Sequence, residues 1–146
     1  MRPRIASLIV GAAAALAIVA SPATAAGGRP LTITLEGNFT TGVETFTASG
    51  AFCPSGSAVS FDFWRTGGAS YNNQFHLSKT FTCDDGSGSL TIHLNAAWVN
   101  THGGTIGGWQ ITDGTGAYAG ASGGGQIVGV GNDTGITDTY SGIINN

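Results

Sequence analysis

Phe75-His76-Leu77-Ser78-Lys79-Thr80-Phe81-Thr82-Cys83, then Asp84-Asp85-Gly86-Ser87-Gly88, then Ser89-Leu90-Thr91-Ile92-His93-Leu94-Asn95-Ala96-Ala97-Trp98: this run decides the fold. Phe75, Leu77, Lys79 and Phe81 alternate with polar residues, and so do Leu90, Ile92, Leu94, Ala96 and Trp98 after the turn. Period-two alternation on both sides of an Asp/Gly/Ser connector predicts an antiparallel hairpin with one buried face. Working outward, the pattern recurs in Leu31, Ile33, Leu35 and Phe39, in Phe46, Ala48, Gly50 and Phe52, and in Val59, Phe61, Phe63 and Arg65. Five strands follow one another with short polar connectors, and nothing after Ala26 has apolar residues at helical spacing with caps.

The last third changes character. Between Gly103 and Gly135 glycines at 114, 116, 120, 123, 124, 125, 129 and 131 interleave with Ile106, Trp109, Ile111, Tyr118, Ile127 and Val128. Such glycines suit strands that bend sharply, carry bulges or approach another backbone closely. Thr137 to Ile144 supplies a closing strand. The expected fold class is all-β: an antiparallel meander closed into a small barrel of about eight strands, which leaves no long edge exposed.

At the N-terminus Arg2 and Arg4 precede an uncharged apolar stretch, Ile5 to Ala20, followed by Ser21-Pro22-Ala23-Thr24-Ala25. This is the pattern of a secretory signal peptide over residues 1–25, with a small-residue cleavage site and an apolar run too short to span a bilayer. The alanine-rich core has a bacterial look. Residues 26–146 then form one domain, secreted and extracellular, with no membrane span after cleavage. Its three basic residues, Arg29, Arg65 and Lys79, face eight acidic ones, a net charge of −5 that argues against nucleic acid as a partner. In an oxidising compartment a Cys53–Cys83 disulfide is the default, worth about 3 to 4 kcal/mol by loop closure; a catalytic or metal-binding thiol pair is the rival reading.

Pairing the strands by their apolar faces puts Val59 opposite Lys79, Phe46 opposite Arg65 with Glu44 diagonal to it, and Cys83 opposite Leu90. In that register Thr80 faces His93 and His76 lies about 13 Å along the strand from it, too far to share a metal. Arg65 and Glu44 occupy otherwise apolar faces near the end opposite the disulfide, either as a structural ion pair at the barrel mouth or as a ligand-orienting pair. The turns Asp84-Asp85-Gly86, Thr112-Asp113-Gly114 and Asn132-Asp133-Thr134-Gly135 offer oxygen ligands for calcium, but Asn95 stands where an EF-hand loop starting at Asp84 needs its glutamate, and tight β-turns select the same residues. No metal or cofactor is expected.

The segment Trp109-Gln110-Ile111-Thr112-Asp113-Gly114-Thr115-Gly116-Ala117-Tyr118-Ala119-Gly120-Ala121-Ser122-Gly123 resembles the G-T-G-x-[FY]-x-G-A-x-G stretch of allene oxide cyclase and dirigent proteins, which are eight-stranded barrels. Together with Phe81-Thr82-Cys83-Asp84-Asp85-Gly86-Ser87-Gly88 it also looks like a group of uncharacterised exported bacterial proteins, over most of the mature chain. The resemblance implies a barrel whose cavity guides cyclisation or coupling of a reactive apolar intermediate. Ser122 stands where dirigent proteins commonly carry arginine, and Asp113 where glycine often begins the motif, which counts against a dirigent-type mechanism.

Two functions follow as expectations. One is a binding or structural barrel for a small apolar ligand or a surface partner, with Trp98, Trp109 and Tyr118 as ligand-contacting residues. The other is a cavity isomerase or cyclase in which Glu44 or Asp113 acts as acid, Arg65 steadies an oxyanion and Tyr118 or Trp98 shapes the pocket. The absence of a glycine run opening a helix disfavours nucleotide binding. Oligomeric state is left open by the sequence.

Overall fold

The computed structural model describes residues 27–66 and 72–146; the expected signal peptide, 1–25, lies outside the described residues. Eight strands run in chain order: β1 (Arg29–Asn38), β2 (Glu44–Gly50), β3 (Ser55–Thr66), β4 (Asn72–Cys83), β5 (Gly88–Val99), β6 (Gly104–Gly116), β7 (Ser122–Gly131) and β8 (Gly135–Asn145). Each pairs antiparallel with the next, and β1 pairs with β8 from Arg29↔Ile144 to Asn38↔Gly135, so the sheet closes into a barrel. The expected fold class is the observed one.

The two ends differ. One carries the start of β1, the end of β8, the turn 117–121 and the disulfide between Cys53 and Cys83, whose Cα atoms are 5.9 Å apart. A disulfide is consistent with an oxidising, extracellular environment. From this end a chain of rings fills the barrel: Tyr118 against Phe52, Phe52 against Phe46, Phe46 against Phe81, and Phe81 against Tyr140, with centroids 4.7 to 5.6 Å apart. Leu31, Ile33, Leu90, Ile92 and Trp109 close the space around them, all at most 5 % exposed. The glycines of β6 and β7 let these walls approach; a Cβ at Gly125 would stand 2.0 Å from the Ser141 carbonyl oxygen.

The register differs from the expected one at β3 and β4. Ser60, not Val59, lies opposite Lys79, and β2 aligns Phe46 with Gly56, not with Arg65. Inward positions of β3 are therefore Gly56, Ala58 and Ser60, while Val59 and Phe61 face solvent. Volume explains the slip: Phe46, Phe52 and Phe81 already fill that end, and a Cβ at Gly56 would stand 2.6 Å from the Phe46 ring, so the small residues face in. A bulge at Asp62, held at φ 52, then switches the faces and returns Phe63 and Arg65 to the inner side.

Across β4 and β5 the register is two residues from the expected one, with Phe81↔Leu90 and Ser78↔His93. As a result His76 and His93 stack on the outer face with ring centroids 6.1 Å apart, and Trp64 lies 5.9 Å from His76. The separation of about 13 Å expected from sequence is thus corrected. Among the described residues no group of three or more His, Cys, Asp or Glu side chains converges.

Candidate functional site

The opposite end of the barrel is not filled. Above the Tyr140 ring the side chains stop meeting, and a cavity of about 180 Å³ opens toward solvent. Leu77, Leu94 and Ile136 form its apolar wall, and Phe75, Trp98 and the exposed rings of Phe39 and Phe63 form its mouth. Phe63 stacks on Phe75 at 5.8 Å, which the β3 bulge makes possible by turning Phe63 inward.

Into this apolar cup project Glu44, Ser60, Lys79, Thr105, Asp138 and Tyr140. Lys79 is the inward residue of β4 at this level and is only 3 % exposed. Its Nζ donates to Glu44 Oε1 at 2.7 Å, and the Ser60 hydroxyl, opposite Lys79 on β3, donates to the same carboxylate at 3.1 Å. Glu44, first residue of β2, thus accepts from two neighbouring strands, which gives the buried ammonium a partner.

Asp138 follows from the alternation of β8, whose residues 136, 138, 140 and 144 face inward. Opposite it on β7 stands Gly129, where a Cβ would lie 2.0 Å from Asp138 Oδ1. The missing side chain is what gives the carboxylate room. Asp138 is 7 % exposed, its Oδ1 has no hydrogen-bond partner, and it stands outside the Lys79–Glu44 ion pair. Burial raises its pKa from the ordinary 3.8 to about 6, with Lys79 opposing the rise and Glu44 adding to it. Two residues farther along, the Tyr140 hydroxyl is also buried without a partner. Desolvation and the charges of Asp138 and Glu44 push its pKa well up, so the phenol stays protonated.

Because the fold favours the protonated form of Asp138, this residue stabilises least when ionised. Its folded pKa lies above the unfolded one, so the favourable difference is present at low pH and stability falls as pH rises from about 4 to about 6. At about 1.4 kcal/mol per pH unit the full effect is about 3 kcal/mol. Asp138→Asn is expected to remove it: by urea unfolding, the variant gains up to about 3 kcal/mol on the parent between pH 4 and pH 7.5. A constant difference across that range would show that Asp138 does not titrate in the fold.

Of the residues nominated from sequence, Glu44 and Trp98 line this cavity. Arg65 shares the inner side of the same end but is exposed at the rim, and the partner of Glu44 is Lys79, so the expected Arg65–Glu44 pair is corrected. Asp113 pairs with Thr91 beyond a second bulge, on the outer face, where its carboxylate accepts from the Gly114 amide. Tyr118 packs on Phe52 at the disulfide end, and Trp109 is a buried wall residue whose Nε1 donates to the Gln126 carbonyl. Asp85 and Asn132 accept from backbone amides of their own turns.

Lys79, Asp138 and Tyr140 were not nominated. Lys79 was legible, since it interrupts the face of Phe75, Leu77 and Phe81. Asp138 shares the inner face of Ile136, Tyr140 and Ile144 but reads as surface among its polar neighbours in the sequence. No family model, curated protein or solved structure matches the chain.

Proposed function

We propose that the protein is an exported barrel that binds a small, largely apolar ligand in the cavity above Tyr140. The observation that carries this reading is the pairing of an apolar cup with two buried, unpartnered polar atoms, Asp138 Oδ1 and the Tyr140 hydroxyl. Ligand sites combine these features: apolar walls supply affinity and a few convergent polar groups fix orientation. A volume of about 180 Å³ is below the usual range of about 300 to 1,000 Å³. Engineered apolar cavities of about 150 Å³ hold benzene, so the fitting ligand is one ring with a polar substituent.

Charge narrows it further. Glu44 already neutralises Lys79, so an anionic ligand would meet an ionised or half-ionised Asp138 without a free cation. A neutral hydroxyl or carbonyl compound meets no such repulsion. The signal-peptide pattern and the disulfide support a site of action outside the cell, and the resemblance to allene oxide cyclase and dirigent barrels agrees with a cavity-centred function. A second reading, a cavity isomerase or cyclase, is favoured by one observation, the buried carboxylate with a pKa near neutrality.

The test is a titration of the ¹⁵N-labelled mature protein with p-cresol and cyclohexanone, followed by amide shifts. Saturable shifts confined to the ends of β4, β5 and β8 around the cavity are expected, and Thr105→Trp, which puts an indole into the space, is expected to abolish them. Shifts that persist in Thr105→Trp, or none with either compound, would overturn the reading.

A further inference from the structure

From the juxtaposition of Asp138 and Tyr140 in one apolar cup we infer that the barrel enolises small cyclic ketones, with Asp138 as the base and Tyr140 as the donor to the carbonyl oxygen. This rests on the small-molecule reading above and names its substrate class and chemistry.

The two groups sit at successive inward positions of β8, about 7 Å apart along the strand, and the charge of Asp138 is felt at the Tyr140 hydroxyl. A ring that places its carbonyl oxygen on the Tyr140 hydroxyl brings an adjacent C–H toward Asp138. The acceptor on Asp138 is unoccupied, and so is the donor on Tyr140. The missing side chain at Gly129 gives the carboxylate its room beside β7. The other charged groups at the cavity, Glu44 and Lys79, are bonded to each other, and Glu44 also accepts from Ser60, which leaves Asp138 as the base free to move a proton. A carboxylate with a pKa of about 6 is a competent base near neutral pH. A buried phenol that stays protonated supplies an O–H where negative charge develops on oxygen.

The step balances without a co-reactant. Asp138 takes the α-proton, and the C–H electron pair becomes the carbon–carbon double bond of the enolate. The carbonyl π pair moves to oxygen, which accepts the Tyr140 hydrogen bond. Asp138 then gives its proton to the γ-carbon of a β,γ-unsaturated ketone, which gives the conjugated isomer, or first swaps it for a solvent deuteron and returns that to the α-carbon, which is exchange.

Two readouts on the mature protein test this: loss of α-proton signals of cyclohexanone in D₂O by NMR, and conversion of 3-cyclohexen-1-one to 2-cyclohexen-1-one by absorbance. Both rates are expected to exceed buffer and the Thr105→Trp variant, to rise with pH through about 6, and to level off above it. Asp138→Asn is expected to lower them about 100-fold and Tyr140→Phe about 100-fold, with Asp138→Glu recovering part of the loss. Cyclohexanone shifts at the cavity without accelerated exchange, or exchange unchanged in a folded Asp138→Asn, would overturn the enolisation and leave binding standing. No shifts and no exchange would overturn both.

Discussion

Lys79→Met is expected to destabilise the mature domain by about 3 kcal/mol at pH 7, and Glu44→Gln by about half as much. Removing one member of a buried ion pair leaves its partner uncompensated, at a cost of about 3 to 5 kcal/mol. The lower end applies here because Glu44 keeps 21 % of its side chain exposed and retains its bond from Ser60. The asymmetry comes from Asp138. Without Lys79, two carboxylates share one apolar cup with no cation between them. Without Glu44, Lys79 still has Asp138, whose charge it already feels. Urea unfolding checks this at pH 7 and again at pH 5, where protonation of Asp138 is expected to restore part of the Lys79→Met loss. Equal losses for the two variants would mean that Asp138 does not take over the lysine.

Replacing both Cys53 and Cys83 with serine is the second large effect. The bridge spans 30 residues of chain, and closing a loop of that size restricts the unfolded state by about 3 to 4 kcal/mol. At about 4 °C per kcal/mol for a domain of this size, the melting temperature is expected to fall by about 15 °C. The position of the disulfide makes a second expectation. It lies at the end that Phe52 and Tyr118 fill, away from Lys79 and Asp138, so p-cresol binding below the melting transition is expected to survive the change. A fall of less than about 4 °C in thermal unfolding followed by circular dichroism, or a lost cavity response in the folded double variant, would contradict this division of the barrel into a plugged and an open half.

The strands themselves were legible because nearly every one carries period-two alternation and polar connectors; the hairpin of β4 and β5 alone implies a meander. The disulfide was legible from two cysteines and a secretory pattern. What misled was β3. Val59, Phe61, Phe63 and Arg65 read as one face, yet the bulge at Asp62 divides them, and alternation cannot reveal where one extra residue enters a strand. Together with a β2–β3 register that sets Phe46 on Gly56 and not on Arg65, it hid Lys79 as the partner of Glu44. The site was half legible for a related reason: an inward charge is conspicuous in Phe75-His76-Leu77-Ser78-Lys79, but Asp138 sits among Thr137, Thr139 and Ser141, where a carboxylate reads as surface. The aromatic of the glycine-rich segment drew notice to Tyr118, whereas Tyr140 holds the floor of the cavity. Burial by a distant strand is not written in either neighbourhood.

The seam between β2 and β3 has a consequence for how the barrel breathes. Pairing there runs only from Glu44↔Ala58 to Thr47↔Ser55, while β3 continues to Thr66 paired on its β4 side alone, and a groove lined by Phe39, Val59 and Ser60 follows the gap. A cylinder sewn unevenly parts first along its shortest row of stitches. Amide protons of Val59 to Thr66 should therefore exchange with solvent long before those of β5. Glu44, bonded across the seam to Ser60, is the clasp, so a molecule too wide for the mouth would enter from the side, by unfastening one carboxylate.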